Sequence, residues 1–77
     1  PGVYAVIVDS VLFGNNKIAY IGESICLANR LRYHSIVIGL VADGYSPVIK
    51  FYPTKYHFEV EPIIIRKYQP VLNVIHK

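Results

Sequence analysis

The sequence contains no methionine, a single cysteine and no apolar run long enough to cross a membrane. A lone Cys26 cannot form an internal disulfide or build a zinc site, and it suits a reducing, intracellular setting. Because it lies in a helical pattern, we expect a core or boundary thiol there rather than a nucleophile. The longest apolar run covers residues 36–42, whereas a membrane helix needs about 20 residues, so we expect no membrane partner.

Acidic residues are also scarce, and this limits the metal chemistry that the chain can support. There are five: Asp9, Glu23, Asp43, Glu59 and Glu61. Glu59 and Glu61 are two residues apart, so on a helix they point about 200° from each other and cannot share one metal. A two-metal nuclease needs several convergent carboxylates, and we therefore expect one metal at most. The net charge of +3 suits a polyanion such as DNA.

Strand-like segments separated by turn residues predict a small antiparallel sheet. Residues 2–8 and 17–22 are rich in β-formers and flank a Gly-Asn-Asn turn, which predicts a hairpin. Residues 11–13 could extend its first strand. Residues 47–52, before a proline, predict a third strand. With 53% hydrophobic residues and no linker or repeat, we expect one α+β domain over residues 1–77.

Helices are predicted between and after these strands. Ser24 is a suitable N-cap for a helix from Ile25, which would place Arg30 and His34 on one face because they are four residues apart. Residues 36–42 predict a short helix, with a strand as the alternative. The last helix begins either after Thr54 or near Glu61, because Pro62 is unfavourable inside a helix. Residues 71–77 predict an extended tail.

Several polar side chains are candidates for chemistry, and each also has a structural interpretation. Tyr4 and Tyr20 are either half-buried strand residues or a general base and its neighbour. A tyrosine base requires a lowered pKa, which a cation such as Arg30 would favour, or must relay its proton to a better base. Arg30 is either solvated or grips a phosphate. His34 either interacts with a helix end or accepts a proton near neutral pH. For the two other histidines, His57 and His76, we expect no catalytic role.

The order and spacing of these residues resemble a known family. Gly2-Val3-Tyr4 and Tyr20-Ile21-Gly22 are followed by Arg30 and His34, then by Glu61, and finally by Pro70 and Asn73. This series resembles the GIY-YIG nuclease family, which includes homing endonucleases and the incision subunit of bacterial excision repair. The resemblance covers nearly the whole chain.

The resemblance implies both a fold and an activity. The fold would be a three-stranded antiparallel sheet flanked by helices. The activity would be DNA endonuclease cleavage with one Mg²⁺, or Mn²⁺ as a substitute, giving 3′-hydroxyl and 5′-phosphate ends. The implied roles are as follows: Glu61 holds the metal, Tyr4 acts as general base or orients water, Tyr20 supports the nucleophile or phosphate, Arg30 binds the scissile phosphate, His34 shuttles the proton, Gly22 keeps the backbone close to the substrate, and Asn73 fixes the tail.

The sequence also departs from the family pattern. The motif tyrosines are 16 residues apart, which is longer than usual. Pro62 directly after Glu61 could re-aim that carboxylate, and Glu59 is the competing metal ligand. Pro62 favours the alternative of a non-catalytic nucleic-acid-binding module on the same scaffold. Because methionine is absent, we expect a processed start or a piece of a longer protein. In a chain of this length, DNA specificity would come from a further DNA-binding domain, a homodimer or DNA shape.

Overall fold

A computed structural model describes residues 1–32 and 34–75 of the chain. The elements in chain order are β1 (Gly2–Ile7), a 3₁₀ turn (Val11–Phe13), β2 (Ile18–Ser24), α1 (Leu27–Arg32), α2 (Ser35–Ala42), β3 (Val48–Pro53), α3 (His57–Tyr68) and α4 (Val71–Ile75). The predicted α+β class with a three-stranded antiparallel sheet and helices is therefore confirmed.

The sheet has the order β2-β1-β3, with both neighbours antiparallel to the central β1. Tyr4 pairs with Gly22 on one side and with Phe51 on the other. Side chains alternate between the two faces of a strand, so these residues share one face of the sheet. This register places Tyr4 at the centre of the sheet, beside the last residue of the second motif.

The two faces of the sheet are covered by different helices. On the face of Tyr4, a core cluster includes Val6, Phe13 and Leu40 of α2. The opposite face packs against α3, whose Ile64 lies beside Val3 of β1. The helix α4 packs against β2. The central strand is thus covered on both faces. This explains why its residues are apolar or aromatic on both faces and do not alternate with polar ones.

The predicted helix from residue 25 is wrong in its start and in its extent. Ser24 is the last residue of β2, and its hydroxyl accepts a hydrogen bond from the Cys26 amide at 3.1 Å instead of capping a helix. The helix α1 begins at Leu27 and ends at Arg32. His34 is the N-cap residue of α2, so Arg30 and His34 do not share a helical face. Cys26 is exposed, so the expected core or boundary thiol is also wrong.

The C-terminal third of the chain contains two further corrections. Thr54 accepts a hydrogen bond from the Tyr56 amide at 3.1 Å, and α3 begins only at His57, four residues before Glu61. Pro62 lies inside this helix. The predicted extended tail is instead the short helix α4, and the last two residues of that tail lie outside the described chain.

Residues 11–13 do not extend the first strand. They form a 3₁₀ turn, because the hydroxyl of Ser10 caps the amide of Leu12 at 3.3 Å. Across the described ranges 1–32 and 34–75, we find no helix with the length and apolar character that crossing a membrane requires.

Candidate active site

Tyr4 and His34 form a buried hydrogen-bonded pair at the centre of the site. The Tyr4 hydroxyl lies 2.6 Å from Nε2 of His34, and each residue is only 1% exposed. The rings meet edge to face, with centroids 5.5 Å apart. The contact exists because β1 presents Tyr4 to the face of the sheet on which α2 begins.

Tyr20 completes an aromatic cluster around this pair. Its ring centroid lies 6.3 Å from that of Tyr4 and 5.4 Å from that of His34. The Tyr20 and His34 rings meet edge to face, and the Tyr4 and Tyr20 rings are tilted by 40°; aromatic rings attract each other at such distances. Packing between the two tyrosines therefore fixes the orientation of the imidazole. Nδ1 of His34 is buried and has no hydrogen-bond partner within residues 1–32 and 34–75.

Burial keeps this pair neutral. Burial raises the pKa of Tyr4 to about 12, and the positive charge of Arg30 only partly offsets that effect. Burial also lowers the pKa of His34, and the charge of Arg30 lowers it further. The phenol is the stronger acid and the imidazole nitrogen the stronger base, so the Tyr4 hydroxyl donates to Nε2. Arg30 therefore acts on the pKa of Tyr4 in the expected direction, but burial has the larger effect and the pKa is not lowered.

Gly22 is required by the position of Tyr4. A Cβ at residue 22 would lie 2.4 Å from the Tyr4 hydroxyl oxygen and 2.5 Å from the ring carbon that bears it. Both distances are far below van der Waals contact. The close approach that glycine permits is therefore to the ring of Tyr4, within the sheet.

Arg30 supplies the positive charge of the site. It lies in α1 and its side chain is exposed, yet it is close enough to influence the pKa values of Tyr4 and His34. Arg32 is exposed on the same short helix and influences neither pKa. A guanidinium above a buried phenol and imidazole is well placed to bind an anionic group that approaches from solvent.

Glu61 supplies a half-buried carboxyl group whose charge acts on Tyr4. Burial raises its pKa, and the negative charge of Glu23 raises it further. The negative charge of Glu61 also contributes to the raised pKa of Tyr4. Glu59, the competing candidate, is exposed on the outer side of the same helix. Of the two carboxylates, Glu61 is thus the one whose charge acts on the pKa of Tyr4.

The structure adds Glu23 and His57 to the candidate residues. Nδ1 of His57 is hydrogen-bonded to the carboxylate of Glu23, and His57 is 5% exposed. His57, for which no catalytic role was expected, is thus a buried residue held by a carboxylate. Its position at the start of α3, four residues before Glu61, was the available signal, since residues four apart on a helix are neighbours.

Asn73 joins α4 to the free edge of β2. Its side-chain amide donates to the Ile21 carbonyl at 2.8 Å, and its side-chain oxygen accepts from the Ile21 amide at 2.7 Å. Backbone groups of alternate residues point to the same side of a strand, so the amide of Glu23 points to this edge as well. Although burial and the Glu23 charge raise the pKa of Glu61, the Glu23 backbone lowers it. The β2 edge thus positions Asn73 through two hydrogen bonds.

The residues around Glu61 fit one hard divalent cation and do not form a complete protein cage. Within residues 1–32 and 34–75, no group of three or more His, Cys, Asp and Glu side chains could hold a metal ion. Mg²⁺ binds through one or two carboxylates and takes its remaining ligands from water and substrate phosphate. The half-buried Glu61 next to the negative charge of Glu23 suits that mode of binding.

A comparison of the chain with protein-family models, curated proteins and solved structures finds no match. The functional interpretation therefore depends on the geometry of the site and on the sequence motifs.

Proposed function

We propose that the chain is a DNA endonuclease domain of the GIY-YIG type that hydrolyses phosphodiester bonds with one Mg²⁺. The observation that carries the proposal is the buried Tyr4–His34 hydrogen bond of 2.6 Å, near enough to Arg30 and Glu61 for both charges to act on the pKa of Tyr4. Residues from β1, β2, α1, α3 and the start of α2 converge there. Phenol, imidazole, guanidinium and carboxylate are the groups that this hydrolysis needs.

The raised pKa of Tyr4 determines how the base would work. At neutral pH a phenol with a pKa of about 12 is protonated and cannot by itself remove a proton from water. His34 would solve this problem, because its neutral Nε2 already accepts the Tyr4 proton. As water loses a proton to the Tyr4 oxygen, Tyr4 passes its own proton to His34. The pair would thus act as one general base.

The water oxygen would then form a bond to phosphorus as the bond from phosphorus to the 3′ oxygen breaks. The leaving 3′ oxygen would take a proton from solvent water and become a 3′-hydroxyl, the phosphate would remain on the 5′ side, and His34 would release the proton it received to solvent. Arg30 would stabilise the negative charge that develops on the phosphate oxygens, and such stabilisation is usually the largest catalytic contribution. Tyr20, half-buried beside the pair, would hold the His34 ring and border the phosphate.

Glu61 would hold the Mg²⁺, which when bound would neutralise phosphate charge. Its partial burial helps, because charges interact more strongly away from bulk water. Mn²⁺ would substitute, since it accepts the same oxygen ligands. The expected partner is DNA, and the expected setting is intracellular.

The second candidate is a nucleic-acid-binding module without catalysis. One observation favours it: Tyr4 is only 1% exposed, so its hydroxyl is largely closed to solvent. The two functions make opposite predictions for cleavage, while both predict DNA binding.

Plasmid nicking tests the proposal with a matched pair of arginines. We expect wild-type protein to nick supercoiled DNA with Mg²⁺ and to stop when EDTA is added. Arg30→Ala should lower the rate at least about 100-fold, because one lost transition-state contact costs that much. Arg32→Ala, on the same helix, should change it little. Mg²⁺-independent nicking, equal losses in both variants, or DNA binding without cleavage would contradict the proposal.

A further inference from the structure

Phe58 presents a large aromatic ring to solvent directly beside the proposed site. It is 68% exposed, although phenylalanine is normally buried in a protein core. Its ring centroid lies 4.3 Å from that of His57, and the two ring planes are tilted by 37°. Since His57 is buried and bonded to Glu23, a fixed imidazole supports one side of the Phe58 ring. The remaining surface of the ring is open.

This open ring borders a cleft that also contains the phosphate-binding candidate. The cleft has a volume of about 490 Å³, and Phe58, Arg30, Asn29, Ile25 and Glu23 line it. Ligand pockets typically measure about 300–1,000 Å³, so the cleft is large enough for a single nucleotide. It joins an exposed guanidinium to an exposed aromatic ring. These are the two groups that bind the backbone and the base of a single-stranded nucleotide.

We propose that Phe58 is a stacking platform for one unpaired DNA base next to the phosphate that Arg30 binds. This inference rests on the proposed function and deepens it, because it defines the substrate class: DNA with an unpaired nucleotide at the cleavage position. In a continuous duplex each base is already stacked on its neighbours and has no free face. A flap, a bulge or a junction offers one.

The Glu23–His57 pair, which the hydrolysis does not use, has a role in this arrangement. The hydrogen bond to Glu23 fixes the imidazole, and the imidazole fixes the angle of the Phe58 ring. A ring held before binding loses less conformational freedom when the base arrives. The same bond engages the Glu23 carboxylate, so that this negative charge in the cleft is directed to His57 and not to the DNA backbone. His57 is in this sense a positioning residue.

Base stacking can be measured directly with 2-aminopurine, whose fluorescence is quenched when it stacks. The protein carries Glu61→Gln so that the DNA stays intact during titration. One DNA has 2-aminopurine as the first unpaired nucleotide of a flap, and the matched DNA has it in a continuous duplex. We expect about tenfold tighter binding of the flap, together with quenching. Phe58→Ala should abolish both the preference and the quenching, and Phe58→Tyr should keep them.

Tyr52→Ala is the matched control, because Tyr52 is 62% exposed but lies on the edge strand β3, outside the cleft. It should leave the preference and the quenching unchanged. His57→Ala should weaken the quenching even though the Phe58 ring is still present. Equal affinity for flap and duplex, or quenching that survives in Phe58→Ala, would overturn the inference.

The outcome is independent of the test of cleavage. Quenching at Phe58 without Mg²⁺-dependent nicking by the wild type would support the stacking platform and contradict the endonuclease. Nicking that depends on Arg30 but not on Phe58, with no preference for unpaired DNA, would support the endonuclease and contradict the stacking platform.

Discussion

The hydroxyl of Tyr4 lies 2.6 Å from Nε2 of His34, and the two residues are separated by 30 positions in the sequence. The first belongs to the central strand of the sheet and the second to the start of a helix packed on it. Their contact joins the N-terminal motif to the helical half of the chain. In the proposed mechanism, this hydrogen bond is the path along which the Tyr4 proton passes to the imidazole.

Replacing Tyr4 by phenylalanine should remove catalysis. The ring would remain in place, but neither the hydroxyl nor the path to His34 would exist. We expect the single-turnover cleavage rate to fall at least about 100-fold, which is the scale of a general-base contribution. Circular dichroism would confirm that the variant is folded. A rate equal to that of wild type would contradict the role of Tyr4.

The raised pKa of Tyr4 makes stability dependent on alkaline pH. The unfolded chain releases this proton near pH 10 and the folded chain near pH 12, so folding is opposed as pH rises between these values. Relative to Tyr4→Phe, wild type should lose about 1 kcal/mol of stability between about pH 9 and about pH 11. Urea unfolding of both proteins would measure the difference. A difference in stability between the two proteins that stays constant with pH would show that folding does not change the pKa of Tyr4.

Gly22→Ala should damage the site through sterics alone. The added methyl would overlap the Tyr4 hydroxyl, and such overpacking costs about 1–3 kcal/mol. The displaced Tyr4 should also lose its bond to His34, so cleavage should fall. Gly39→Ala is the control: no atom lies within 4 Å of its added Cβ, and alanine in a helix should stabilise by about 0.5–1 kcal/mol. Equal unfolding midpoints for the two variants would contradict this account.

Asn73→Ala should loosen the C-terminal helix from the sheet. The change removes both hydrogen bonds to Ile21 and leaves a backbone amide without its partner, at a cost of about 1–3 kcal/mol. Hydrogen exchange of the Ile21 amide should accelerate strongly. Asn15→Ala, in the exposed turn between the first two strands, should leave that exchange rate unchanged. If both variants preserved slow exchange, Asn73 would not be the residue that holds α4.

The sequence was sufficient to predict the sheet because its signals are local. Alternating β-branched residues and the Gly-Asn-Asn turn predicted the hairpin, and the predicted strand ends differ from the observed ends by no more than two residues. The proline after residue 52 indicated the third strand. The predicted N-cap at Ser24 was wrong because serine is favoured both as an N-cap and in a short turn after a strand. The short helix at residues 71–75 was missed because its anchor, Asn73, bonds to a strand 52 residues away.

The site was predictable as a set of residues but not as an arrangement. Motif spacing singled out Tyr4, Tyr20, Arg30 and Glu61, which the fold brings together. The Glu23–His57 bond and the burial that raises the pKa of Tyr4 depend on which helix covers which face of the sheet. The four-residue spacing of His57 and Glu61 indicates that the two are neighbours, but it does not indicate which strand they face. The assumed shared helical face of Arg30 and His34 failed because α1 ends before His34.

The account depends most on Glu61 as the residue that holds the metal. The most direct measurement is the single-turnover cleavage rate with Mg²⁺ for Glu61→Gln and for Glu59→Gln, two amide variants on the same helix with the same change in charge. We predict that Glu61→Gln abolishes cleavage while DNA binding persists, and that Glu59→Gln, at an exposed position, cleaves like wild type. Cleavage retained in Glu61→Gln, or lost equally in Glu59→Gln, would contradict the account.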